Sequence, residues 1–271
     1  MLADAIAAER FRLIRDRTAL FWGFGFAPLA SLLFSLATDI FVRAAFHRTI
    51  PGATTDLANR ALGAVAGAAG PVTALFLLIG AAAIVAGDYR WETWRLITQR
   101  NGRLNLLAAK LIVFAEAAAW SLLLTAVAAV LGGLFSSLIN AAPLIGPPAG
   151  SNLVGQFAGV FLITWLQLML VGALAAVIGV VTRSTMGAVV AGLVVVVAQS
   201  TLATMAQETT WKTLAIPAYA ARMLKSFVAA PAGMRPEAGP AGLGLLLLSL
   251  WLAALVAAAL VLFKRQDLTK E

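Results

Sequence analysis

The sequence predicts an all-α, polytopic membrane protein with six transmembrane helices, an N-terminal interfacial helix and both termini cytoplasmic. Three observations lead there. The 271 residues are 61% hydrophobic and only 12% charged, against about 45–50% and about 25% in ordinary soluble domains. Six apolar runs approach or exceed the roughly 20 residues that carry a helix across a bilayer. The basic residues are shared unevenly between the segments joining those runs, which is how a membrane protein sets its orientation.

The elements follow in chain order. Residues 1–17 read as a helix lying on the membrane surface. Leu2, Ile6 and Leu13 share a face, Arg12 and Arg15 point elsewhere, and Arg10 and Arg17 can snorkel toward headgroups. Residues 1–17 carry two acids, Asp4 and Glu9, before Phe11 and contain no apolar h-region, so a cleavable signal peptide is not expected. The spans are expected at 18–38, 70–87, 105–133, 153–181, 186–206 and 241–263, forming a single transmembrane domain without internal repeat. Pro28 can kink the first. Small residues at 80–83, 115–119 and 172–176 allow close helix approach. The first external segment, about 39–69, has room for a short helix. The second, AAPLIGPPAG, is a loop by its prolines and glycines. The third, 207–240, reads as a surface helix broken at Pro217 with Trp211 and Tyr219 at the interface; a re-entrant helix pair is the alternative.

Orientation comes from Lys and Arg. Of the twenty, thirteen fall on the side of the termini: Arg10, Arg12, Arg15, Arg17, Arg90, Arg95, Arg100, Arg103, Lys110, Arg183, Lys264, Arg265 and Lys270. That side is therefore cytoplasmic. The net charge of +8 is explained by topology and calls for no nucleic-acid partner.

Composition also restricts chemistry. Without cysteine, and with His47 as the only histidine, thiolate metal sites, thiol nucleophiles and histidine-based hydrolysis are not available to the chain. No G-x-x-x-x-G-K-[ST] pattern for nucleotide phosphates occurs. The spans lack the paired aspartates, Ser with His, or HExxH of an intramembrane enzyme, so no catalytic residue and no metal site is expected.

The densest polar cluster is GDYRWETWRLITQRNGRL, residues 87–104. Asp88 to about Gln99 contains no Gly or Pro and suits three turns of helix. Glu92 and Arg95 are spaced to pair on its surface. Asn101-Gly102 supplies a turn because both residues tolerate positive φ. The segment offers Trp91 and Trp94 as anchors and Arg90, Arg95, Arg100 and Arg103 as partners for acidic groups. Tryptophan and arginine suit a protein-docking helix and a lipid-facing anchor equally well.

This segment resembles the cytoplasmic loop of ABC-2-type transporter permeases. That pattern is an acidic residue, Gly-Thr, a leucine-rich helix, Pro, Arg, and a Lys opening the third span. Asp88, Thr93, Leu96, Ile97, Arg103 and Lys110 fall near those positions. Glu92 stands where glycine is usual, Asn101-Gly102 replaces the proline-centred turn, and the spacing from Thr93 to Arg103 is about one residue short. The N-terminal helix, the six spans and FKRQDL (Phe263 to Leu268) agree with the same family. The resemblance implies a non-catalytic permease subunit of an exporter in the bacterial cytoplasmic membrane. It would pair with a second permease copy and dock a separate ABC ATP-binding subunit through 88–104, with ATP and Mg held on that partner. The alternative is a non-transporting scaffold that tethers an ATPase or signalling partner.

Three polar residues inside the spans are candidates for a pathway or for interhelical bonding. Glu116 would cost roughly 2.5–3.5 kcal/mol unpaired at a helix centre, so it must find protein, water or a proton. Gln167 and Gln199, the latter followed by Ser200-Thr201, default to interhelical hydrogen bonds. The spans show no charged binding constellation, which points to a hydrophobic, amphiphilic or peptide-like cargo.

Overall fold

The computed structural model describes residues 2–46, 54–90, 94, 98, 101–147, 152–206, 208–230 and 238–266. These fold as an all-α bundle, relieved only by a two-residue parallel pairing of β1 (Thr55–Asp56) with β2 (Leu144–Ile145). Six helices are long and apolar enough to cross a membrane: Arg17–Ala45, Pro71–Tyr89, Arg103–Asn140, Leu153–Thr182, Thr185–Met205 and Pro240–Arg265.

The chain opens with α1 (Leu2–Arg15), which buries Ala5, Glu9 and Leu13 and leaves Phe11 and Ile14 exposed. The Asp16 carboxylate caps the next helix at Ala19 N, 2.9 Å. From there α2 (Arg17–Leu20), a π-helical stretch (Phe21–Gly25) and α3 (Phe26–Phe46) run on as one span. Pro28 has no N–H to give the Phe24 carbonyl four residues back, and Ser121 donates its hydroxyl to that oxygen instead, at 2.8 Å. The wider π turn also brings Gly23 against Gly80, where an added Cβ would lie 2.6 Å from the Gly80 Cα.

α4 (Leu57–Gly67) is capped by Asp56 and packs on α6 (Arg103–Asn140) and α7 (Leu153–Thr182). α5 (Pro71–Arg90) is the hub: more than half of its apolar window is buried, against about a tenth for the last helix. The small residues of the spans find definite partners. Gly172 faces the Phe114 ring, Gly179 faces Ala86, and Gly192 of α8 (Thr185–Met205) faces Leu78. Side chains larger than hydrogen at those points would push the helices apart.

The segment after α8 folds back into the bundle. α9 (Trp211–Leu214) and α10 (Pro217–Ala229) are separated at Pro217, which takes the first helical position of α10. α10 buries Pro217, Tyr219, Ala220, Ala221 and Leu224 against α7, α8 and α11 (Ala238–Arg265). It is not a surface helix, and Tyr219 is not an interfacial aromatic: only 6% of it is exposed, and its hydroxyl lies 2.8 Å from Thr209 Oγ1. Trp251 Nε1, midway along α11, donates to Ala215 O at 2.9 Å, so the α9–α10 turn sits deep beside a membrane-capable helix.

Candidate coupling site

α5 does not stop at Gly87. With no Gly or Pro to end it, the helix continues through Asp88 to Arg90, so Asp88 belongs to the bundle and not to a separate docking helix. Its carboxylate is fully buried and meets Lys110 Nζ at 2.7 Å. Lys110, equally buried, also donates to Glu9 Oε2 at 3.0 Å and Ile84 O at 2.7 Å, which uses all three ammonium hydrogens. Arg12 completes the group, bonding Asp88 and reaching Glu9 Oε1 at 2.9 Å. The four charges cancel, and each is hydrogen-bonded, which is what burial of ions demands. Bonding to Asp88 also holds the Arg12 guanidinium above its ordinary pKa, so it stays charged.

Trp94 closes this network from below. Its side chain is 2% exposed and packs against Phe263 at 4.4 Å and Tyr89 at 5.7 Å between ring centroids. The Lys110 ammonium lies 5.2 Å from its ring. The indole N–H is buried without a hydrogen-bond partner, so ring packing alone fixes it. Thr98 N donates to Trp94 O at 3.0 Å, one helical turn on. Trp94 is thus an internal anchor, and its ring is not available to a docking partner. Of the other expected docking residues, Trp91, Glu92, Thr93, Arg95 and Arg100 lie outside the described residues, as does the side chain of Arg90.

Arg103 is likewise turned inward, donating to Gln266 O at 2.6 Å and Lys264 O at 3.4 Å. Gln266 accepts from Tyr89 Oη at 2.6 Å and donates to Val180 O at 3.1 Å. The end of α11 is therefore tied to α5, α6 and α7 at one point. Asn101-Gly102 does turn the chain, but without positive φ: Gly102 is extended, φ −63° and ψ 139°, and caps α6. Asn101 Oδ1 accepts from Gly102 N at 2.9 Å, which makes the bend a side-chain turn.

Glu116 pairs with Arg10 of α1, whose Nε donates to it at 2.7 Å. This is a latch between the N-terminal helix and α6. Gln167 and Gln199 come together elsewhere, on a cavity of 190 Å³ toward the opposite end of the bundle. Gln167 accepts from Lys225 Nζ at 2.8 Å. The sequence reading missed Glu9, Phe263 and Lys225. Glu9 carried a signal, standing at helical spacing between Ala5 and Leu13 on a face otherwise apolar. Lys225 carried none, because nothing local marks its helix as inserted.

The chain belongs to the family described as a protein of unknown function, DUF2705, whose profile matches residues 26–269. No curated protein and no solved structure matches it.

Proposed function

We propose that this protein is the membrane permease subunit of an ATP-driven ABC transporter, working as an exporter with a separate ATP-binding subunit docked on residues 91–100. The observation that carries the reading is the seating of Trp94. Residues 91–100, rich in Trp and Arg, link α5 to α6 in the sequence. Within them the buried indole of Trp94 is held at the junction of α5, α6 and α11. A partner that displaced this segment would move Lys110, Asp88 and Phe263 with it, and through Glu9 and Arg12 would move α1. A loop fixed only at its ends could not transmit such a displacement. Nucleotide-driven closure of the partner then biases the packing of the membrane helices through that anchor.

On the resemblance to ABC-2-type permeases, the proposal puts this end in the bacterial cytoplasm, with a second permease copy alongside. Beneath α1 lies a groove of 750 Å³ lined by Leu13, Ile14, Phe21 and Trp120, with Arg10 and Arg17 at its edge. That lining suits α1 at a lipid interface.

The test separates docking from folding. Tagged protein extracted gently from native membranes should carry an ATP-hydrolysing subunit, and Arg95→Glu with Arg100→Glu should release it while the melting temperature holds. Trp94→Ala should cost about 3–5 kcal/mol of stability as well as coupling. Retention of the subunit and of coupled hydrolysis in the double arginine variant contradicts the docking assignment. Hydrolysis in liposomes without cargo movement identifies a scaffold instead.

A further inference from the structure

A second charged constellation lies far from the coupling site. Lys225 of α10 is largely buried, and its ammonium donates to Gln167 Oε1 and to Ala66 O, each at 2.8 Å. Ala66 is in the last turn of α4, where a cation suits the helix dipole. That accounts for one bond, but not for what surrounds it. Lys225 and Arg222, one helical turn apart, both line a cavity of 410 Å³ together with Gln167, Ser200 and Thr204. A neighbouring cavity of 190 Å³ shares Gln167 and Ser200 and adds Gln199 and Trp251. No carboxylate lines either one. Among the described residues neither cation forms an ion pair; Arg222 is held 5.2 Å over the Tyr219 ring.

The chamber lies within membrane depth. Gln167 is about 15 residues from the end of α7 at Thr182, and Ser200 about 15 from the start of α8 at Thr185. Each is therefore about 22 Å along its helix. Two cations without a carboxylate partner among the described residues, set among hydrogen-bonding amides and hydroxyls at a depth where charge is costly, form an arrangement that an anion would complete. The remaining walls are apolar: Ala69, Ala203, Leu170 and Leu255.

We infer that this chamber binds the anionic head of an amphiphilic organic acid, with Lys225 and Arg222 on the charge and the Gln199–Trp251 side receiving the apolar part. This deepens the transporter reading by giving its cargo a chemical class, and rests on that reading only for the word cargo. Burial pushes the Lys225 amine down to about 8, so the site should weaken in mild alkali. The other charged residues on the helices around it are Arg60 on α4, Lys212 on α9, Arg222 itself, and Lys264 and Arg265 at the far end of α11.

The experiment uses the full chain in phosphatidylcholine nanodiscs, with decanoate as probe and decanol as its neutral counterpart. Decanoate should bind saturably above empty nanodiscs, and decanol should not. Lys225→Met should weaken decanoate about tenfold, the worth of one charge-assisted hydrogen bond. Arg222→Gln should weaken it less, and Lys225→Arg should retain it. Raising the pH from 7 to 9.5 should weaken the native protein but not Lys225→Arg. Equal binding of decanoate and decanol, or decanoate binding indifferent to Arg222→Gln and to pH, overturns the site even if Lys225→Met fails to fold. No ATPase enters the assay. Selective binding by a chain that recruits no ATPase keeps the site and removes the transport reading; recruitment without selectivity does the reverse.

Discussion

Lys110 shows how a single residue sets the architecture around it. It satisfies two carboxylates and a backbone carbonyl from α1 and α5 while sitting on α6. Removing one member of a buried ionic group strands the others, which costs about 3–5 kcal/mol, whereas replacing a whole group with apolar residues is often neutral. Lys110→Met should therefore lower the thermal midpoint sharply in detergent, and Asp88→Leu, Glu9→Leu and Arg12→Leu in the same chain should recover much of the loss. Lys225 makes the opposite kind of prediction. Its amine loses its proton at about 8 when folded but near 10.5 when unfolded, so the unfolded chain binds more protons between those values. Stability should rise with pH across that window by up to about 1.4 kcal/mol per unit, and Lys225→Met should flatten the rise. At this scale legibility was uneven. Asp88, Lys110 and Trp94 could be singled out from the sequence, but their burial could not, because burial depends on α1 and α11 arriving from opposite ends of the chain. Lys225 was invisible for the same reason.

Among the elements, α1 is the one whose attachment rests on charge. The Arg10–Glu116 pair is partly exposed, and a pair of that kind in water contributes about 0–1 kcal/mol. Here its value is different in kind, since Glu116 stands about 9 Å beyond Lys110 along α6 and needs a cation to be tolerated in a span. Arg10→Ala should lower the thermal midpoint, and Arg10→Ala with Glu116→Ala should restore it; a double variant as unstable as the single one would show that α1 is held elsewhere. The first span makes a steric prediction. Gly80→Val should separate the spans at Gly23, where the backbones touch, and should be among the most damaging single changes outside the charged core. The periodicity of the sequence made the helices readable, and Pro217 marked a real break. What it left open was where α10 goes. A helix with an apolar face fits equally on a membrane surface and in a cleft between α7, α8 and α11, and only the packing of Ala220, Ala221 and Leu224 decides.

For the whole molecule, both described ends of the chain meet at one end of the bundle, where Trp94, Lys110, Phe263 and Gln266 join five helices or their continuations. The cavity lined by Lys225 and its neighbour lie toward the other. This polarity is what a machine driven from one side would need: a rigid grip at the driven end and a polar chamber beyond it. The six spans could be read from hydropathy alone because their lengths match a bilayer. The distribution of function could not, since the residues concerned are spread from Glu9 to Gln266 and converge only in three dimensions.

The absence of cysteine makes the central claim directly measurable. Single cysteines in place of Leu144 and Glu208, both exposed, can carry spin labels at the end of the bundle opposite Trp94. In the proposed complex with an ATP-binding subunit, the distance between them should shift when ATP and vanadate trap the partner closed, and Arg95→Glu should abolish the shift. An unchanged distance while the partner hydrolyses ATP at its full rate would contradict the account.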